Sequence, residues 1–316
     1  MSAALPLPFS DFRRSAVARY PLAALGAVLL IAIVLAAIFA PLMGTVDPTA
    51  LSPANRLKPA SAQNMLGTDQ FGRDVWSRLV YGARVSLIVG TAVATISIIL
   101  GLLIGMVAGY IRWLDAVVMR AMDGLMAIPG ILLAIALVSL SGASTLTVIV
   151  AITIPEVPRV VRLVRAVVLS VREEPYVESA ISIGTPLPKI LYRHVLPNCI
   201  PPLIVQATYI AASAMLTEAI LSFLGAGTPP IIPSWGNMIA EGRLFFQIAP
   251  WNILYPGIAL SLTILGSVPA GAGRYFTPLS ASGTSAGMMR ALKMIADRIA
   301  LSGLASPITL SDPSPG

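Results

Sequence analysis

The chain has 316 residues, of which 56% are hydrophobic and only 11% charged, against roughly a quarter charged in an ordinary soluble domain; this is the composition of an integral membrane protein. The formal net charge of +7 does not point to nucleic acid, because the basic residues are scattered around apolar runs and form no block or stripe with aromatics. No alternation of the kind an outer-membrane barrel needs is present, so the spans are helical, and the single cysteine, Cys199, excludes an intramolecular disulfide and a multi-cysteine metal site.

Residues 1–20 read as a cytoplasmic tail. Arg13, Arg14 and Arg19 precede an apolar run from Pro21 to Met43 that is too long for the core of a cleavable signal and lacks an Ala-x-Ala site near its end, so a retained signal-anchor helix is expected. The paired arginines match a twin-arginine signal only superficially. Six apolar segments can be drawn in all, at about 21–43, 84–110, 121–141, 146–168, 200–224 and 252–270, each near the length of a tilted spanning helix. Between the first two, residues 44–82 form a long outside loop. In its last part, Asp74 to Tyr81, residues Val75, Trp76, Leu79 and Val80 share one helical face, predicting an interfacial helix that either braces the next span or offers a docking surface.

Ile128-Pro129-Gly130 should kink the third segment, for gating or for packing. The fourth is crowded in its second half by Pro155, Glu156, Pro158, Arg159, Arg162 and Arg165, and its inner end is expected near Pro158. With the N-terminus inside, eleven Lys and Arg fall on inner segments before the last helix and six on outer ones, which favours two cytoplasmic termini and an inner position for Tyr176 to Asn198. The expected organisation is a tail 1–20, a helix 21–43, an outside loop 44–82, a core 83–270 with five further helices and an inner loop 170–198, and a cytoplasmic tail 271–316.

That inner loop carries the main candidate site. A membrane protein with a shaped polar segment on one side generally has something soluble to grip there. Pro175 has the φ favoured in the first turn of a helix, Glu178 complements the positive end of the dipole, and Ser179 and Ala180 are small enough for close approach. Gly184 can adopt the left-handed conformation that ends such a helix. Pro186 and Pro188 then restrict a turn and can start a second short helix through Ile190, Leu191 and Val195, and Leu196-Pro197 marks re-entry into the membrane. On spacing alone, an ordinary polar loop with a Gly stop and a Pro start is the competing reading.

Glu178-Ser179-Ala180 with Gly184 and Leu196-Pro197 closely resembles the coupling loop of permease subunits in binding-protein-dependent ABC importers, in the dipeptide, oligopeptide and nickel branch. Three further stretches carry the resemblance: Leu66 to Asp74 running into Tyr81 to Leu87, Glu174 to Glu178, and Leu221 to Gly225 followed by Pro233 to Met238. It extends from the first helix to about Gly266. It implies an all-α polytopic fold of the type I permease kind, set in the bacterial inner membrane among lipid, without a cofactor. The partners it implies are a homologous second permease, two ATP-binding subunits and an extracytoplasmic solute-binding protein. By the same resemblance, Glu178 to Gly184 would sit in a groove of the ATP-binding subunit, and the stretch His194-Val195-Leu196-Pro197 would start the following helix. The cargo it implies is dipeptides or oligopeptides; nickel or another small solute of the same branch, or a non-transport scaffold that holds a soluble partner, are the alternatives.

Ser179 stands where the family commonly has Ala, a small-for-small change. The larger departure is the tail from Ser267 onward, where resemblance is lost abruptly, as a change of reading frame near Gly266 would produce. There Met288 to Leu301 reads either as an amphipathic helix with Met288, Leu292, Ile295 and Ile299 on one face or as a disordered or weakly surface-attached segment. Within the spans, Glu218 stands out, because a carboxylate deep in hydrocarbon costs about 2–3 kcal/mol on insertion scales. It is expected either to face a water-filled path or the second subunit, or to serve a structural hydrogen-bonding role; Asp123 is expected at the inner interface. Enzymatic readings are poor. His194 is the only histidine, no Gly-x-x-x-x-Gly-Lys-Ser/Thr loop is present, and Ser141 to Ser144 lacks a partner in the membrane for protease chemistry, so ATP hydrolysis falls to partner subunits.

Overall fold

The structure, a computed structural model, describes residues 21–272. The N-terminal tail and the two readings of Met288 to Leu301 lie outside the described residues. In hydrocarbon, backbone N–H and C=O groups have no water to bond, and a helix satisfies them within one segment. Every regular element among the described residues is accordingly helical. In chain order these are α1 (Pro21–Ile38), α2 (Val75–Tyr110), α3 (Arg112–Ala127), α4 (Gly130–Ser141), α5 (Thr145–Arg172), α6 (Pro175–Ser182), α7 (Leu187–Ile190), α8 (Leu196–Phe223), α9 (Trp235–Gly242) and α10 (Trp251–Ala272). The six apolar segments fall on α1, α2, α3 with α4, α5, α8 and α10. Among the described residues, α2 and the continuous helix Leu187–Phe223 are long and apolar enough to cross a membrane unbroken, and the bent α3–α4 pair passes as a third crossing.

Two boundaries differ from expectation, each for a physical reason. Asp74 to Tyr81 forms no separate interfacial helix: Asp74 caps α2 by accepting from Ser77 N at 2.8 Å, and nothing interrupts the helix beyond it. Its apolar face is covered by the protein itself, since Val75 packs with Trp235 and Met238, and Trp235 Nε1 donates to Leu79 O at 3.0 Å. α5 runs through Pro155 and Pro158 to Arg172; two lost backbone bonds are tolerated where neighbouring helices hold the backbone in place. At Pro129 the reverse holds. Ile128 (ψ 129°) and Pro129 (ψ 124°) are both extended, as the ring demands of the residue before it, and α3 and α4 meet at 84°.

The central packing is a seam between α2 and α5. Gly101, Gly105 and Gly109 lie against Val160, Val164 and Val168 in that order, so the two helices run parallel. Small residues spaced by four let helix backbones approach closely, the favourable arrangement where lipid offers no hydrophobic drive. Parallel neighbours need a return segment, and α3–α4 supplies it. α8 runs antiparallel to α2 and packs on the same face nearer its start, with Gly90 against Ala211 and Met215. Ion pairs tie the amphipathic α3 to α5: Asp115 with Arg165, and Asp123 with Arg162 at 2.6 Å.

A Cβ on Gly101 would lie 2.4 Å from that of Val160, whereas one on Gly124 of α3 would meet nothing within 4 Å. Gly101→Val is therefore expected to destabilise the fold by about 1–3 kcal/mol or more through overpacking, and Gly124→Ala to be neutral or to stabilise by up to about 1 kcal/mol. Thermal unfolding of the detergent-solubilised protein measures both.

Candidate functional site

The segment between α5 and α8 is built as a short rigid element. Glu174 is extended, and its carbonyl accepts from Val177 N (2.9 Å) and Glu178 N (3.2 Å), which starts α6 with Pro175 in its first turn. Ser179 and Ser182 donate their hydroxyls to the carbonyls one turn back, Pro175 O at 2.8 Å and Glu178 O at 3.0 Å. The helix ends in a double reverse bond: Gly184 N donates to Ile181 O at 2.9 Å and Thr185 N to Ala180 O at 3.0 Å. This is the Schellman arrangement, and it requires a left-handed residue after the cap. Gly184 fills that place with φ +81°; a Cβ there would find open space, so the requirement is the dihedral and not room.

α7 follows, the N–H groups of Lys189 and Ile190 donating to Pro186 O. It then passes through one wide π turn, Leu191–Val195, into α8. Leu196 N donates to Leu191 O, and Pro197, which has no N–H, follows directly. The expected re-entry point at Leu196-Pro197 is thus an interior position of a continuous helix, marked by a π turn, a feature frequent at functional sites.

Both ends of the loop are fastened. Val177, Ile190, Val195 and Cys199 are buried in one cluster with Val168 and Val171 of α5. The rings of Tyr176 and His194 lie 5.7 Å apart at 43°. Asn198 Nδ2 donates to His194 O at 2.7 Å and, more weakly, to Tyr176 Oη at 3.4 Å. Of the residues predicted for this site, Glu178, Ser179 and Gly184 are exposed, Ala180 and His194 half-buried, and all five share one loop; Leu196 is half-buried and Pro197 exposed at the base of α8. Sequence reasoning missed the exposed apolar side chains beside them. Ile183 (84% exposed), Tyr192 (75%) and Ile181 stand out from an otherwise polar segment, and their only signal was being apolar where no helical period required it.

Glu218 is elsewhere, about 33 Å along α8 from Leu196 at 1.5 Å per residue. It has 0% exposure and faces neither an open path nor a free surface of this chain. Its Oε1 accepts from Ser222 Oγ (2.9 Å), Ser234 Oγ (2.9 Å) and Thr228 Oγ1 (3.3 Å). Ser234 also caps α9 by accepting from Asn237 N, and Asn237 Nδ2 donates to the carbonyls of Thr228, Pro229 and Ile232. The carboxylate is the hub that holds the turn after α8 against α9. Near it, Asp69, Arg73, Arg78 and Glu241 form a buried ion-pair cluster: Asp69 Oδ2 accepts from Arg73 Nε and Arg78 Nη1, both at 2.6 Å, and Glu241 Oε2 from Arg78 Nη1 at 2.7 Å and from Arg73.

Residues 97–276 match the family described as binding-protein-dependent transport system inner membrane component. Over 247 residues, 78% of this chain and 84% of the relative, the sequence is 54% identical to a probable peptide ABC transporter permease of Sinorhizobium fredii. It is 43% identical over 246 residues (78% and 81%) to a dipeptide transport system permease of Alkalihalophilus pseudofirmus. An oligopeptide transport system permease of Bacillus subtilis is 33% identical over 253 residues (80% and 83%). The chain belongs to this family of transport-system membrane components. It is a multi-pass inner-membrane protein and a permease component of an ABC transporter.

In this permease, the Glu218 cage distinguishes an oxygen acceptor from a charge. Glu218→Gln keeps one oxygen for the three hydroxyls and is expected to preserve thermal stability, while Glu218→Leu strands them at a cost of about 1–3 kcal/mol. Thermal unfolding of the two purified variants measures the difference.

Proposed function

We propose that this permease is the membrane subunit of an ATP-driven importer of dipeptides or oligopeptides. It pairs with a homologous second permease, receives cargo from an extracytoplasmic binding protein, and is driven by two ATP-binding subunits. The subunit itself is non-catalytic. Both termini lie in the cytoplasm, and the loop 170–198 faces the ATP-binding subunits. The peptide cargo is supported by the relatives named as peptide, dipeptide and oligopeptide permeases at 33–54% identity.

The observation that carries the motor contact is the loop's combination of rigidity and exposed apolar surface. Ile181, Ile183 and Tyr192 project from a segment whose first helix closes in a Schellman turn and which is docked on α5 and α8 through Val177, Ile190 and Val195. Exposed apolar side chains on a rigid loop suit a groove on a soluble partner, with Glu178, Ser179 and Ala180 on the approaching helix and Gly184 at its turn. ATP binding closes the motor pair, the loop moves with it, and α5 and α8 rearrange; the motor's binding energy thereby shifts a two-state equilibrium between inward- and outward-open forms.

The left-handed conformation costs a residue with a branched Cβ about 1–2 kcal/mol, whereas Asn tolerates it. Gly184→Val is expected to insert and assemble normally, to retain ATP hydrolysis, and to lose about tenfold or more in uptake of labelled di- and oligopeptides. Gly184→Asn should keep most of that uptake. Wild-type uptake by the Val variant would count against the loop as the motor contact.

A further inference from the structure

Glu156 on α5 is a buried carboxylate that neither the coupling loop nor the Glu218 cage uses. It sits one turn before Val160 on the glycine seam, well inside the bundle. Its side chain is 8% exposed. Oε1 accepts from Arg159 Nη1 at 2.9 Å, while Oε2 has no partner. The guanidinium is far more open, with its side chain 45% exposed. Both groups line a cavity of about 320 Å³ between the start of α4, α5 and α8, together with Gly130, Ala134, Ser213 and Thr217.

Each part of this arrangement is expensive unless something occupies it. An ionisable group inside a membrane bundle pairs, or marks a path, and an unpartnered carboxylate oxygen in such a place costs more than a neutral acceptor would. The volume falls in the range of small-ligand pockets. α4 also begins at the cavity, so the first-turn N–H groups that no helical carbonyl can accept lie at its wall. One acid and one base on α5, with two hydroxyl side chains on α8, make a lining of no net charge that carries both donors and acceptors.

We propose that this cavity is a transport subsite for a short peptide, in which the Glu156 side chain turns its buried, unpartnered Oε2 into the cavity to accept the hydrogens of the peptide's α-ammonium group. The assignment rests on the peptide reading above and gives it a place in this chain. The half-exposed Arg159 faces the carbonyl or carboxylate oxygens of the same peptide. A bare divalent cation fits poorly. The carboxylate already has a guanidinium 2.9 Å away, and among the described residues no group of three His, Cys, Asp or Glu side chains stands close enough to hold a metal. A single ammonium–carboxylate contact also leaves side chains unread, which suits a path that follows selection elsewhere.

The test uses the complete importer in proteoliposomes, with labelled dialanine and trialanine as cargo and ATP hydrolysis stimulated by loaded binding protein as a second readout. Glu156→Gln is expected to lower uptake about tenfold, the loss of one charge-assisted contact, while stimulated hydrolysis stays near wild type. Glu156→Gln with Arg159→Gln separates a subsite from a structural ion pair. Uptake stays low in the neutral pair if Glu156 serves the cargo; recovery to wild type overturns the proposal, because only a structural pair is repaired by removing both charges. A variant that fails to assemble is replaced by Ser213→Cys on the cavity wall, with the buried Cys199 as the only native thiol. Dialanine should slow its labelling by a methanethiosulfonate reagent in the working importer, and unchanged labelling overturns the subsite. A wild-type importer that moves neither peptide overturns the peptide reading and this proposal together; wild-type peptide uptake with Glu156→Gln unaffected overturns the proposal alone.

Discussion

The contact on which the rest of the fold depends is the approach of α2 to α5 along Gly101, Gly105 and Gly109. Between helices in lipid, association rests on van der Waals packing and on hydrogen bonds, because lipid tails are as apolar as the side chains. Glycines on one helix and valines on the other bring the backbones together without ordering long side chains. The seam also fixes direction. Since the partners run parallel, the chain must cross back between them, and the break at Pro129 lets α3 and α4 do so in two pieces. The far end of the seam, Val168 and Val171, becomes the floor on which Val177, Ile190 and Val195 dock. The loop's position thus follows from packing decided about sixty residues earlier.

The two ends of the bundle are held by different chemistry. Where α2 stops, apolar anchors seat a loop whose outer face is left exposed. Where α2 begins, the fastening is polar: Asp69 accepts from Phe71 N, Arg73 N, Arg73 Nε and Arg78 Nη1, so a single carboxylate orders a turn and tethers two arginines. Arg73 and Arg78 pass the connection to Glu241, just inside the end of α9. Gly72 closes the same turn at φ +75°, where a Cβ would lie 1.8 Å from Ser52 O. Breaking one partner of such a cluster leaves an uncompensated buried charge. The stretches Leu66 to Asp74 and Pro233 to Met238 are therefore a brace, and their recognisable spelling reflects the geometry of that brace.

What the sequence revealed and what it hid divides along the range of the interactions. Helix positions, the Pro129 break and the left-handed Gly184 follow from local rules of hydrophobic run, ring and dihedral, and all were legible. The continuity of α2 through Asp74 to Tyr81 was not, because an apolar face on an amphipathic turn reads the same whether lipid or Trp235 covers it, and Trp235 lies some 160 residues away. Glu218 shows the same divide within one residue: Ser222 lies one turn on, within the range of local rules, but Thr228 and Ser234 reach it only after the chain turns back. The π turn before Pro197 was hidden for another reason. Proline announces a lost bond but not whether the helix breaks, kinks or widens to absorb it.

That widening bears on how movement at the loop would travel. Tyr176, His194 and Asn198 link α6 to the base of α8, and Val177 links it to α5, so a displacement of the loop loads both helices at once. α5 is stiff where valines interlock with the α2 glycines, from Val160 to Val168. It is compliant where Pro155 and Pro158 remove two backbone bonds. Glu156 lies between those prolines, and the cavity it lines is walled on the opposite side by α8, the other helix the loop moves. A rearrangement of α5 against α8 would therefore concentrate at the cavity and not at the seam. A subsite placed there would change shape with each motor cycle while the packing that holds the bundle together stays intact.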